Sequence, residues 1–318
     1  MDRTQGSYCY RAVMMGTDIE LQLAGHQPEL ARQVFRIIQQ LENLLTVNRP
    51  DSQLMAVNRA AGQHGVSVDR QVFELIDCAH QVSLQGGCFN LAIGPLVKCW
   101  KIGFSGDSVP SPATLKSLLN LCDPRAVVLD RQRCSIFLTR PGMEIDAGAI
   151  AKGYIADRVC GFLQQQGTRQ ALINLGGNIR VTEAVAPATA WSVGLRQPFS
   201  EHGALLGVIT VNDRSVVTSG VSERYFICGG RHYHHILDPR SGYPLDNDLL
   251  SVTVISADSV SGEIHSTQLY GMGLQRAGHW LTTRHDIEAI FVTRDGRVVC
   301  PSQRQFSFRQ TAGMPVTG

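Results

Sequence analysis

From about residue 171 onward, short β-branched and aromatic runs follow one another with few helical patterns between them. The runs at 171–175, 179–181, 205–211, 215–218, 224–228, 252–256 and 287–292 read as strands bounded by turn formers. Consecutive strands pair antiparallel through short turns, whereas a parallel pair needs a long crossover after each strand. The class that follows is α+β, with mostly antiparallel sheets and flanking helices.

Helical periodicity is concentrated in the first half. Gln27-Pro28 opens a helix whose Leu30, Val34, Ile37, Ile38, Leu41, Leu44 and Leu45 recur at three- and four-residue steps. Residues 52–58 form a short turn or helix, and 72–82 a second amphipathic helix. Shorter or later helices are expected at 114–121, 150–165 and within 266–283. Residues 8–23 read as a strand pair or one kinked strand about Met15-Gly16-Thr17, and 126–129 with 135–138 as a hairpin. Segments 104–113 and 182–190 are expected to be flexible loops within a single domain spanning 1–318.

Composition narrows the function. With 43% hydrophobic and 18% charged residues the chain is globular rather than disordered. The 29 Lys and Arg against 27 Asp and Glu leave a net charge of +2, and no basic block stands out, so a nucleic-acid partner is not expected. No run approaches the ~18 apolar residues of a transmembrane helix. The nine cysteines are odd in number and contain no CxxC. With no basic segment leading into an apolar one at the N-terminus, they point to a reducing, cytoplasmic setting.

Five segments carry chemistry. In Glu144-Ile-Asp-Ala-Gly-Ala-Ile-Ala-Lys-Gly-Tyr-Ile-Ala-Asp157 a strand is expected to end at Asp146 and a helix to begin near Ile150. Small residues allow a ligand close to the backbone, the helix start offers free N–H groups, and Lys152 adds positive charge. A phosphate suits that corner; a tight strand-to-helix turn with a solvated lysine explains it equally well. Asn174-Leu-Gly-Gly-Asn178 is a ligand-approach loop or a plain hairpin turn. Thr218-Ser-Gly-Val-Ser-Glu-Arg-Tyr-Phe226 offers hydroxyls and Arg224 to a phosphate, or simply ends a strand with a surface arginine. In His232-Tyr-His-His-Ile-Leu-Asp-Pro-Arg-Ser-Gly, His232 and His234 share one strand face and His235 takes the other, which disfavours a three-histidine metal site. A histidine beside this turn is a candidate general base, or a core histidine bonded to backbone. Glu263 and Thr267 lie four apart, so on a helix they share a face; two oxygen donors suit Mg²⁺, and an acid with a threonine also suits helix capping.

Each segment is ambiguous alone, but their order is not. The series MGT, FNLAIGPLVKCW, DAGAIAKGYIAD, LINLGGN, TSGVSERYF, HHILDPRSGYP, SVTV and GEIHST resembles the ApbE (Ftp) family of FAD:protein FMN transferases from about Met15 to Gly273. The resemblance implies an ApbE-like fold and Mg²⁺-dependent transfer of FMN from FAD to a threonine or serine hydroxyl of an acceptor flavoprotein, with release of AMP. Two other activities stay open beside it: an FAD pyrophosphatase giving FMN and AMP, and a non-catalytic FAD-binding protein. By the same resemblance, Glu263, Thr267 and the Ala149 carbonyl match the metal ligands, and His235 the candidate base. Met15, Gly16, Thr17, Lys152, Gly176, Gly177, Asn178, Ser219, Arg224 and Asp238 match the flavin-nucleotide pocket. Three departures stand out. Glu263 replaces the family's usual Asp, His265 a small or aliphatic residue, and Asn90-Leu-Ala a common Asp-Pro-Thr.

Overall fold

The computed structural model describes residues 7–183, 190–200, 203–311 and 316–317. β1 (Ser7–Met14) and β2 (Thr17–Ala24) form a hairpin whose two turn residues, Met15 and Gly16, both have positive φ, 53° and 68°. Such turns match the natural twist of the flanking strands. α1 (Pro28–Leu45) starts on proline, which has no N–H to leave unpaired, and buries Ala31, Val34, Ile38, Leu41 and Leu45. α2 (Gln53–Arg59) is capped by the Ser52 hydroxyl, which accepts from Met55 N. Next come β3 (Val66–Ser67), α3 (Arg70–Leu84), α4 (Gly94–Trp100), α5 (Pro112–Leu119), β4 (Val127–Asp130) and β5 (Ser135–Leu138).

The second half contains α6 (Ala151–Gln165), β6 (Ala171–Leu175), β7 (Asn178–Val181), β8 (Trp191–Arg196), β9 (Leu205–Val211), β10 (Ser215–Gly220), β11 (Tyr225–Cys228) and β12 (Arg231–His234). It continues through β13 (Leu249–Ser256), α7 (Ser259–Thr282), β14 (Glu288–Thr293), β15 (Val298–Val299), β16 (Phe306–Gln310) and β17 (Val316–Thr317). Nine strands make the main sheet in the order β1-β2-β6-β7-β10-β13-β14-β15-β17, antiparallel except for the β15–β17 pair. The mostly antiparallel α+β class is what the sequence implied.

Both faces of this sheet are covered. Ile19, Leu21 and Leu23 of β2 and Ile173 of β6 pack under α1, α3 and α6, while Val252 and Val254 of β13 pack under α7. On the opposite face Leu172, Val216 and Ile255 meet Val193, Ile209 and Phe306 of the small β16-β9-β8 sheet. Burial on two sides accounts for the nearly unbroken apolar run of β13. The C-terminal segment is held by charge as well. Glu288, fully buried, accepts from Ser302 Oγ at 2.5 Å, Arg304 N at 2.9 Å and Gln305 N at 2.7 Å.

Several expectations need correction. No strand precedes Asp146: residues 143–147 belong to no strand or sheet. Their backbone is held instead by Asn58, which exchanges two hydrogen bonds with Ile145, and by Leu91, whose carbonyl accepts from Asp146 N. The last long helix begins at Ser259 rather than 266, because two carboxylates cap a start whose own residues, Ser-Val-Ser-Gly, look like loop. Helix α5 takes Pro112 and so ends the 104–113 loop early. Strands β8 and β16 and helix α4 were not anticipated, and most of the expected 182–190 loop, 184–189, lies outside the described residues.

Helices α6 and α7 touch where Gly153 faces Ser259 and Glu263. A Cβ on Gly153 would lie 2.5 Å from the Ser259 carbonyl oxygen and 2.8 Å from Glu263 Cγ. In a free helix Gly→Ala gains about 1 kcal/mol, but overpacking against fixed backbone costs about 1–3 kcal/mol. Gly153→Ala is therefore expected to lower the urea unfolding midpoint.

Candidate active site

The antiparallel order places two turns and a strand end at one end of the main sheet. The Met15-Gly16-Thr17 turn joins β1 to β2, and Gly176-Gly177 joins β6 to β7. Strand β10 runs out beside them at Ser219, because Asn178 opens β7 opposite Val217. The contact is close: a Cβ on Gly176 would sit 2.3 Å from Thr17 Oγ1, and Gly176 has φ +62°, so both space and backbone favour glycine there. Gly177 N donates to Asn174 Oδ1 at 2.9 Å, which fixes the turn.

Two helix starts face this end. The first turn of α6 has no side-chain cap, and it carries Lys152, with Ala149 exposed in the turn just before it. Gly148 N donates to Asp146 Oδ1 at 2.6 Å; burial pushes the Asp146 carboxyl above its ordinary range, against that amide and the Arg224 charge. Helix α7 is anchored by Asp157 of α6, whose carboxylate accepts from Ser259 N at 2.8 Å and Val260 N at 2.9 Å. Asp258 takes Ser261 N at 2.7 Å. Burial pushes Asp157 up to about 6 despite the two amides.

Glu263 stands one turn into α7, buried, and accepts from Asn178 Nδ2 at 2.8 Å. The other amide atom, Asn178 Oδ1, is buried with no hydrogen-bond partner among the described residues. Thr267 follows one turn later, its carbonyl accepting from the Cys88 thiol at 2.9 Å. Among the described residues no three His, Cys, Asp or Glu side chains group to hold a metal. A cation here would rest on one carboxylate, a hydroxyl and carbonyl oxygens, with water or phosphate completing the shell. That all-oxygen donor set, with an unpartnered amide oxygen beside it, fits Mg²⁺.

His235 closes the site from the base of the β11–β12 hairpin. Its backbone N–H and its Nδ1–H both face the Arg224 carbonyl, at 3.2 and 3.3 Å. A carbonyl only accepts, so Nδ1 carries the proton and Nε2 keeps its lone pair. Burial, followed by the Arg224 and Lys152 charges, holds its pKa down at about 4. His234 points the other way and bonds Leu245 O at 2.7 Å, as alternation along a strand requires.

Not every predicted residue reaches ligand space with free atoms. The Asp238 carboxylate is taken by Arg240 N and Nε, both at 3.0 Å, within its own turn. Ser219 Oγ pairs with Ser266 Oγ at 2.8 Å and so ties α7 to β10. Arg224 lies over the Phe104 ring at 5.8 Å. Glu223 and Asp157 were missed. Glu223 Oε1 comes within 3.7 Å of where a Gly177 Cβ would be, and burial raises its pKa against Lys152. Its place in TSGVSERYF, beside Arg224, was the available signal, whereas Asp157 at the end of DAGAIAKGYIAD gave only a position. Capping of α7 belongs to Asp258 and Asp157, which leaves Glu263 and Thr267 clear of that structural role.

One carboxylate, one amine, one neutral imidazole and two glycine turns lie together at a sheet end, a set of groups whose chemistry suits a phosphate-bearing ligand. The chain belongs to the ApbE family, whose model matches residues 15–291. A protein of Klebsiella pneumoniae (strain 342) called FAD:protein FMN transferase is 52% identical over 302 residues, 95% of this chain and 94% of that one. One of the same name from Treponema pallidum (strain Nichols) is 38% identical, covering 84% and 77%. The apo flavinyl transferase ApbE of Pseudomonas stutzeri superposes with a TM-score of 0.80 at 26% identity, over 98% and 97% of the two chains. The Thermotoga maritima ApbE protein shares the fold, with a TM-score of 0.81 at 24% identity over 96% and 97%.

The depressed His235 pKa has a testable sign. The folded protein keeps this ring neutral where the unfolded chain protonates it, so its contribution to stability falls as pH drops from about 6.5 to about 4 and levels off below. Nitrogen-15 spectra of the histidines should show His235 as the neutral Nδ1–H tautomer at pH 6, and a charged ring there would contradict the assignment.

Proposed function

We propose that the protein transfers FMN from FAD to a threonine, or serine, hydroxyl of an acceptor flavoprotein and releases AMP. The observation that carries this reading is the gathering of Met15–Thr17, Gly176–Asn178, Lys152 and Glu263 about one sheet end, the site expected of a family whose relatives bear the transferase name.

In this reading the glycine turns admit the dinucleotide close to the backbone, and the α6 start with Lys152 receives its diphosphate. Glu263, Thr267 and the Ala149 carbonyl would hold Mg²⁺, which supplies charge neutralisation on the phosphate oxygens. The acceptor oxygen attacks the phosphorus of the FMN half. The bond from that phosphorus to the bridging oxygen breaks, AMP leaves with the bridge, and the hydroxyl proton passes to His235 Nε2. A resting pKa near 4 makes His235 a weak base alone; the negative charge of a diphosphate beside it moves the pKa back toward neutrality.

No helix among the described residues is long and apolar enough to cross a membrane. All nine cysteines are free, which supports a reducing compartment, and we place the protein in the cytoplasm.

Incubation with FAD, Mg²⁺ and an acceptor should give a protein band whose flavin fluorescence survives denaturation. AMP release that no acceptor converts to covalent flavin would instead mark hydrolysis. Glu263→Ala should abolish Mg²⁺ dependence and most turnover, because one fewer charged ligand leaves the cation weakly held. His235→Ala should slow the single-turnover step by roughly 10²–10⁴-fold while FAD binding, read by fluorescence quenching, stays intact. An unchanged rate would remove His235 from the chemistry.

A further inference from the structure

We propose that Asn178 is a positioning residue for the metal carboxylate rather than a flavin contact: its amide holds one oxygen of Glu263 and leaves the other for Mg²⁺. The inference rests on the metal assignment in the transferase reading above and adds what keeps that donor in place.

A seam of hydrogen bonds fastens α7 to the sheet along one face of the helix. Ser259 Oγ meets Ser215 Oγ at 2.7 Å, Glu263 Oε1 accepts from Asn178 Nδ2 at 2.8 Å, and Ser266 Oγ meets Ser219 Oγ at 2.8 Å. Residues 259, 263 and 266 are four and three apart, the spacing of one helical face. The two outer ties join neutral hydroxyls. The middle one sets a carboxylate, only 6% exposed, against a neutral amide. No ion pair within 4 Å joins Glu263 to a Lys, Arg or His among the described residues. A third serine would have closed the seam, whereas a buried carboxylate without a counter-charge calls for a cation.

Glu263 is gripped at both ends. Its stem lies against α6 where glycine leaves room, since a Cβ on Gly153 would be 2.8 Å from Glu263 Cγ. Its head is held by a residue from the inside of the main sheet. Asn178 opens β7, faces Leu175 of β6 on one side and Val217 of β10 on the other, and is 1% exposed. Such a residue offers little to a flavin. Its Oδ1 is enclosed without a partner among the described residues, and its Nδ2 is committed to Glu263. Glu263 Oε2 is the converse: no donor among the described residues reaches it, and it is not enclosed. A carboxylate already held in one orientation has little side-chain freedom to lose when a cation arrives, which is how partners behind a metal ligand raise affinity.

The probe is Mn²⁺. The full chain is titrated with it, with and without FAD, and binding is read from loss of the free-ion EPR signal. FAD affinity is read by fluorescence quenching in EDTA, and folding by thermal unfolding. The wild-type protein should bind Mn²⁺ and Glu263→Gln should lose it. Asn178→Ala should weaken Mn²⁺ about 10–100-fold, with FAD affinity in EDTA within about twofold. In AMP release it should raise the KM for Mg²⁺ by more than it lowers kcat. In the Glu263→Asp background the carboxylate is one methylene too short to meet the amide, so there Asn178→Ala should change Mn²⁺ affinity by less than about twofold. A purely structural role would cost the same in both backgrounds. Asn178→Ser is read in the same way should the alanine variant not fold. Unchanged Mn²⁺ affinity, equal costs in both backgrounds, or FAD affinity in EDTA that falls together with Mn²⁺ would overturn the proposal, the last by returning Asn178 to the flavin pocket. A wild-type protein that binds no Mn²⁺, or whose Mn²⁺ affinity survives Glu263→Gln, would instead sink the metal assignment of the transferase reading, and this proposal with it.

Discussion

The site depends on two helices that start side by side and cannot slide. Asp157 reaches from α6 to the first two amides of α7, and Gly153 lets the α7 backbone approach within a distance no side chain would allow. These contacts set the height of Glu263 and Thr267 relative to Lys152 and the turn before it. An ionised Asp157 is costly to bury, as its raised pKa records, yet its loss would leave helix-start amides unpaired. Evenly spaced apolar contacts could hold the helices together without fixing that height, whereas hydrogen bonds to named amides do fix it.

The sheet contributes the other half. Its antiparallel order brings turns from distant parts of the chain to one end, and Asn178 links them to α7 by donating to Glu263. Glutamate in place of the family's usual aspartate puts one more methylene between the helix and this hydrogen bond. The departure at 265 falls on a different side: the His265 ring lies 5.3 Å from Trp280, farther along α7.

The parts of this arrangement that sequence disclosed are those with a period or a turn signature. The stripe from Leu30 to Leu45, the paired glycines at 176 and 177, and the four-residue step from Glu263 to Thr267 all imply their local geometry. What stayed hidden is tertiary. Nothing in the residues around Asp146 says that its backbone bonds outside any sheet, because the partners, Asn58 and Leu91, lie far away in sequence. The α7 start was obscured since its cap is supplied partly by another helix. Asp238 looked available until Arg240, two residues on, was seen to occupy it. Strand β16 could not be predicted from its own pattern, for its pairing is with β9, nearly a hundred residues earlier.

The Glu288 clamp gives the tail of the chain an importance that its peripheral location conceals. Residues 302–305 satisfy the buried Glu288 carboxylate through a hydroxyl, two amides and the Arg304 guanidinium, which lies 3.4 Å from it. Trimming the chain back past Ser302 would remove the core residue Phe306 and strand β16, and it would also leave the buried Glu288 carboxylate without its amide and hydroxyl partners.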